Sequence, residues 1–325
     1  MMDETVPITL LTGFLGSGKS TFINSLLRNA AMPPTAVVVN ELGEIGIDNL
    51  LVETVTEGVT VLTSGCLCCA VRSDLEQSLR DLRVKRLRGV VPPFERLLLE
   101  TTGLAKPAPI LQTLMSGSVR EMRYEIGAVV ATVDAVAGLQ SLERFTEARQ
   151  QVAVADRLIV TKSDLTGRSE ISELKEQLFL LNPDASVFDV ARGSAEPEMI
   201  SGPAWLTGKT AVGPLPRILG DGSHSVDVRA DSYFVNSPID WERLQHAIRL
   251  LMREEGDHLL RFKALARVQG IDHLVALHAV HHTFYPPEVL PSHSDWEGPS
   301  RLVFISQGID RTVIDEVVRQ FSDDR

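Results

Sequence analysis

The sequence predicts an α/β protein: a first domain on a mostly parallel sheet, then a small α+β domain. Three observations carry this. From residue 6 to about residue 200, short β-rich apolar runs alternate with amphipathic helical stretches, as in successive βαβ units. Residues 201–230 are rich in Gly, Pro and Ser and lose both periodicities. Beyond them come strand-length runs and two helical stretches without that alternation. With 325 residues the chain exceeds the size at which one core stops growing. The expected division is a first domain over 1–200, a linker over 201–230 and a second domain over 231–325.

In the first domain, β-branched apolar runs predict strands at Ile8–Thr12, Ala36–Asn40, Leu97–Glu100, Ala128–Asp134, Arg157–Thr161 and Ser186–Val190. Helical periodicity predicts helices at Lys19–Asn29, Ser73–Val84, Pro107–Ser116 and Glu170–Leu181, the last stopped by Asn182-Pro183. The second domain reads as strands at Ser232–Val235, Leu259–Val268, Leu274–Thr283 and Arg301–Ser306, with helices at Ile239–Arg253 and Thr312–Phe321.

Composition excludes several classes. Forty-four per cent apolar and 23% charged residues are ordinary globular values. A net charge of −11 repels a phosphate backbone, so no nucleic-acid partner is expected, and Arg80–Arg88 reads as a solvated helix face. The N-terminus has no basic leader, and no apolar run is long enough to span a bilayer, so the chain is expected in the cytoplasm and off membranes. Its thiols there start reduced, which makes the cysteines metal or redox ligands before bridges.

Gly13-Phe14-Leu15-Gly16-Ser17-Gly18-Lys19-Ser20 fits G-x-x-x-x-G-K-[ST] between a predicted strand and a predicted helix. Average residue frequencies give one chance match in roughly a hundred such chains, so the motif is read as functional. Its glycines let backbone N–H groups converge on phosphates, and the helix N-terminus adds positive potential. The phosphate-binding set is Gly13, Gly16, Ser17, Gly18, Lys19, Ser20 and Thr21. Lys19 would bridge the β- and γ-phosphates, and Ser20 would offer its hydroxyl to Mg²⁺. The first domain is therefore expected to be a P-loop NTPase fold.

Such a loop needs a carboxylate at a neighbouring strand end for Mg²⁺, and Glu100 after Leu97-Leu98-Leu99 supplies one. Guanine recognition pairs a lysine stacked on the base with an aspartate accepting its two N–H donors. Thr161-Lys162-Ser163-Asp164 follows a predicted strand and fits, and an ionised Asp164 disfavours adenine.

All three cysteines lie at Cys66, Cys68 and Cys69. Three thiolates and one more ligand suit tetrahedral Zn²⁺, with Co²⁺, Ni²⁺ or Cu(I) as alternatives. Glu41 and Glu44 are candidates for the fourth position. A redox Cys66-x-x-Cys69 pair or ordinary buried cysteines remain alternatives. All eight histidines lie beyond residue 220, and on a continued strand His278 and His282 would share one face, a candidate secondary metal site or relay.

GFLGSGKST, NELGEIGID, GCLCC and LLLETTGLAKP, in this order, resemble the CobW-type metal-chaperone GTPases, relatives of the GTPases that mature nickel enzymes. The resemblance spans nearly all of residues 5–190 and is looser beyond. It implies a GTPase whose Cys-x-Cys-Cys, here Cys66, Cys68 and Cys69, binds Zn²⁺ or a related ion. It also implies a Glu-x-x-Gly, here Glu100 and Gly103, with nucleotide state coupled to metal handling. Lys19, Glu100 and Gly103 are then the candidate catalytic groups. Two departures stand out. Thr161 replaces the usual Asn, and Arg261-Phe262-Lys263-Ala264 stands where Arg-x-Lys-Gly is frequent.

The expected function is a slow GTPase, using GTP and Mg²⁺ and cycling through GDP, that delivers zinc, cobalt or nickel to a client protein. A homodimer is compatible with these features. A P-loop small-molecule kinase and a non-enzymatic zinc buffer or sensor are the rival readings.

Overall fold

The structure, a computed structural model, describes residues 5–40, 59–64, 71–192, 194–201, 228–290 and 298–322, with backbone alone at residues 40, 59–64 and 71–74. The chain divides into two compact units, Met1–Phe179 with Ala185–Lys209, and Leu180–Asp184 with Thr210–Arg325. Residues 202–227 of the expected linker lie outside the described residues, and residues 228–230 already belong to a strand of the second unit.

The first unit runs β1 (Val6–Gly13), α1 (Lys19–Arg28), β2 (Thr35–Asn40), β3 (Val59–Ser64), α2 (Val71–Leu87), β4 (Arg96–Glu100), α3 (Pro107–Leu114), α4 (Gly117–Glu121), β5 (Tyr124–Asp134), α5 (Gly138–Arg144), α6 (Thr146–Val154), β6 (Arg157–Thr161), α7 (Arg168–Leu181) and β7 (Ser186–Asp189). Its seven strands lie in the order β3-β2-β4-β1-β5-β6-β7, and every pairing is parallel. β1, β4 and β6 are buried almost throughout, so they read as unbroken apolar runs rather than as alternation. One face of the sheet packs on α1 through Leu11, Val37, Leu98 and Val130 against Phe22, Ile23 and Leu26. The chain leaves β1 toward β2 on one side and later builds β5 to β7 on the other. The carboxyl end of β1 is thus the switch point where such sheets hold ligands.

The second unit is an antiparallel sheet with two helices. It runs β8 (Val228–Val235), α8 (Trp241–Glu255), β9 (Leu259–Arg267), β10 (Leu274–Val280), β11 (Thr283–Phe284), β12 (Glu288–Leu290), β13 (Ser300–Gln307) and α9 (Arg311–Arg319). The order is β11-β10-β9-β13-β8, with β12 beside β10. Asp240 and Asp310 cap α8 and α9 through the N–H groups of Arg243 and Thr312. Leu244, Ile248, Leu251, Ile314 and Val317 close the core over Phe262, Leu277 and Phe304.

Several expected boundaries move. The first helix stops at Arg28 because Asn29 is extended and turns its carboxamide onto the Ala31 N–H. α2 runs through Leu87, past the expected Val84. The strand expected over Leu274–Thr283 breaks at Val280: His281 takes φ 49° and a two-residue turn leads into β11. No helix among the described residues is long and apolar enough to cross a membrane.

Candidate functional site: a phosphate loop joined to the Thr161–Asp164 loop

β1 ends at Gly13, whose φ of 142° lies outside the range comfortable for side chains, and a Cβ there would sit 2.7 Å from Ser17 Oγ. Gly16 and Gly18 follow with φ of 71° and 87°, and Gly18 opens α1. The chain thereby wraps into a cradle at a helix N-terminus, the geometry that turns N–H groups toward an anion. Lys19 Nζ donates to the carbonyl oxygens of Gly13 at 2.8 Å and Phe14 at 3.2 Å, which holds the ammonium across the cradle. Ser17 is engaged inside the protein instead: its amide donates to Phe14 O at 3.1 Å and its hydroxyl pairs with Thr132 Oγ1 at 2.7 Å. Thr21 sits exposed on α1.

Ser20 Oγ donates to Glu100 Oε1 at 3.1 Å, joining the start of α1 to the end of β4. Glu100 is 6% exposed. A hydroxyl and a nearly buried carboxylate in contact form an oxygen donor pair of the hard kind Mg²⁺ takes. The segment after Glu100 is tied to β1: Thr101 N donates to Leu11 O at 2.9 Å and Thr101 Oγ1 to Thr12 Oγ1 at 3.0 Å. Gly103 then passes so close to the phosphate loop that a Cβ would stand 2.7 Å from Leu15 N.

β6 brings the Thr161-Lys162-Ser163-Asp164 segment to the same end of the sheet. Thr161 Oγ1 donates to Ser17 O at 2.8 Å. Lys162, left-handed at φ 56°, donates to Gly16 O at 2.9 Å and pairs with Asp134 at 2.6 Å. Asp134 in turn accepts from the N–H of Val136 at 2.8 Å. Asp164 Oδ1 accepts from the Arg192 N–H at 2.9 Å, and that bond, with the Arg192 charge adding to it, holds the Asp164 carboxyl below the ordinary aspartate range.

Asp134 and Arg192 belong to no motif, and sequence reading missed both. Asp134 carried a signal, a carboxylate closing a predicted strand beside the one that ends in Thr161. Arg192 carried none, because its backbone N–H makes the contact.

Cys66, Cys68, Cys69, Glu41 and Glu44 lie outside the described residues. The pairing expected of His278 and His282 on one strand face does not form. β10 ends before His282, whose Nδ1 meets Met252 O at 2.7 Å and whose Nε2 meets Asp257 at 2.9 Å. His278 stands edge-on to Tyr285. Among the described residues, no three His, Cys, Asp or Glu side chains are grouped to hold a metal.

The chain matches the model of the CobW/HypB/UreG nucleotide-binding domain over residues 7–189 and that of the cobalamin synthesis protein cobW C-terminal domain over residues 228–322. It is 32% identical over 308 residues to the zinc chaperone YjiA of Escherichia coli, covering 92% of this chain and 93% of that protein. It is 28% identical over 201 residues to the zinc-regulated GTPase metalloprotein activator 1 of Schizosaccharomyces pombe, covering 58% of this chain and 47% of the relative. The crystal structure of the Zn(II)-bound YjiA GTPase from E. coli superposes with a TM-score of 0.75 at 28% identity, over 97% of this chain and 98% of that one. A phosphate loop, a buried carboxylate beside its serine and a Thr161–Asp164 segment bonded to that loop thus occur in a chain that belongs to the CobW/HypB/UreG family.

Proposed function

We propose that this protein is a GTP-hydrolysing metallochaperone that couples its nucleotide state to the binding and delivery of zinc. The observation that carries the reading is the bonding of the base-recognition segment to the phosphate loop: Thr161 to Ser17 and Lys162 to Gly16. The protein is a P-loop GTPase. Gly13, Gly16, Gly18, Lys19 and Ser20 form the phosphate cradle, braced from inside by Ser17 and followed on α1 by Thr21, with Lys19 facing the β- and γ-phosphates. Ser20 and Glu100 would hold Mg²⁺, which neutralises charge developing on the transferred phosphoryl group. Thr161, Lys162 and Asp164 receive guanine. No arginine finger or water-positioning glutamine was evident in the sequence, so intrinsic hydrolysis is slow and metal or client accelerates it.

Zinc is the cargo. The reading is supported by Cys66, Cys68 and Cys69, a soft-donor set, and by the likeness to a zinc chaperone over most of both chains. Cobalt or nickel would suit the same thiolates less well than zinc. The recipient is a metal-requiring client protein, met in the cytoplasm.

Multiple-turnover hydrolysis of GTP and ATP, with and without Zn²⁺, tests the reading. The expected result is GTP turnover that changes with Zn²⁺. Metal-independent phosphoryl transfer to a metabolite would point to a kinase, and absence of turnover to a zinc buffer.

A further inference from the structure

Gln151 stands outside every motif, on α6, and is 1% exposed. Its amide nitrogen donates to the carbonyl oxygens of Gly103 and Ala105, each at 3.1 Å. One side chain thus clasps the turn that follows Glu100. Among the described residues, its own oxygen, Oε1, is buried without a hydrogen-bond partner. The turn also meets the phosphate loop, where a Cβ on Gly103 would lie 2.7 Å from Leu15 N and 2.8 Å from Leu15 Cα. Gln151, Phe14 and Leu15 also line one cavity of about 20 Å³.

A residue that merely filled this volume would be apolar, because a buried acceptor without a partner costs about 1–3 kcal/mol. Both Gln151 donors go to the turn, and that unpaired oxygen is accepted alongside them. Gly103 is therefore held by two contacts, the Gln151 amide at its carbonyl oxygen and Leu15 packed against its Cα.

We propose that Gln151 is a positioning residue for GTP hydrolysis, setting the height of Gly103 over the end of the phosphate cradle where a third phosphate lies. This rests on the GTPase reading. Apart from Lys19, the cradle would grip the phosphates that GDP and GTP share, whereas the Gly103 turn would meet the group only GTP carries. Losing the clasp acts on the triphosphate state and spares the diphosphate state.

The test uses full-length Gln151→Met, an apolar residue of similar size, and Gln151→Asn, which stays polar but is one methylene too short to reach both carbonyls. kcat and KM for GTP are measured beside affinities for GDP and a non-hydrolysable GTP analogue, with thermal melting as the check on folding. In both variants kcat falls about tenfold and the analogue binds about threefold or more weakly, while GDP affinity stays within about twofold. Should Gln151→Met fail to fold, Gln151→Asn decides. Equal losses for GDP and the analogue, or an unchanged kcat in a folded variant, overturn the proposal. Wild-type protein that does not hydrolyse GTP overturns the GTPase reading instead, a result visible before any variant is made.

Discussion

Thr161 Oγ1 donates to the carbonyl oxygen of Ser17 at 2.8 Å, so a hydroxyl fastens the base-recognition strand to the phosphate loop. The same oxygen lies 3.3 Å from Val133 O. Threonine in place of the asparagine frequent in this family therefore keeps a brace, although it loses the carboxamide. Thr161→Val preserves volume and removes the donor, leaving Ser17 O without this partner in a buried place. GTP and GDP should both bind about three- to tenfold more weakly by calorimetry, and Thr161→Ser should restore binding. Unchanged affinities would show that the bond braces nothing.

Glu100 meets Ser20 at 3.1 Å and is 6% exposed, so its carboxylate is nearly dry. Glu100→Gln keeps the shape and removes the charge. The Mg²⁺ concentration for half-maximal hydrolysis should rise at least about tenfold and kcat should drop about a hundredfold, with metal-free GDP binding unaffected. A Mg²⁺ titration of the rate reads this directly, and an unaltered midpoint would remove Glu100 from the Mg²⁺ site.

How much of this was legible beforehand varied with the local chemistry. β6 was readable to the residue because a fully buried run ends at a left-handed lysine. The phosphate loop was readable because backbone geometry dictates its glycines. α6 was not, since its buried face includes Gln151 beside Ala148 and Val152, and a polar residue at a core position blurs helical periodicity. β12 escaped notice because it is three residues long and mostly exposed. The His278–His282 alignment failed on a tertiary fact, the turn at His281 that ends the strand.

In the proposed function, Asp164 would carry the selection of guanine over adenine. The Arg192 N–H lowers its pKa beneath the ordinary aspartate value of 3.8. A depressed carboxyl stays ionised above its folded pKa, so the binding form is present through neutral and mildly acid pH and is lost only below the usual aspartate range. The ratio of GTP to ATP affinity should stay constant from about pH 7.5 to 5 and collapse in Asp164→Asn at every pH in that range. A wild-type ratio that declines between those limits would contradict the assignment.

His281 is expected to make the second unit acid-sensitive. Burial lowers its pKa below 6.5, with the like charges of His282 and His258 adding to this and a Gly256 backbone bond and Asp257 opposing. A histidine with a lowered folded pKa takes up its proton more readily when unfolded. Its stabilising contribution is complete above about pH 6.5 and is lost as pH falls through that value toward the folded pKa. Melting of the second unit should shift downward between about pH 7.5 and 5.5, and His281→Asn should flatten that slope. A slope identical in the variant would assign the acid sensitivity elsewhere.

The coupling of nucleotide to metal is tested most directly by titrating Zn²⁺ against a competing chelator. Three states are compared, the GTP-analogue, GDP and nucleotide-free forms, with and without Ser at Cys66, Cys68 and Cys69. Driving a site from 1% to 99% loaded takes about 5.5 kcal/mol of differential affinity, and linkage requires zinc to alter nucleotide affinity by the same factor. The expected result is a Zn²⁺ affinity that differs by at least about tenfold between the GTP-analogue and GDP forms and vanishes in the triple serine variant. Equal Zn²⁺ affinity in all three nucleotide states would contradict the metallochaperone and leave only a GTPase.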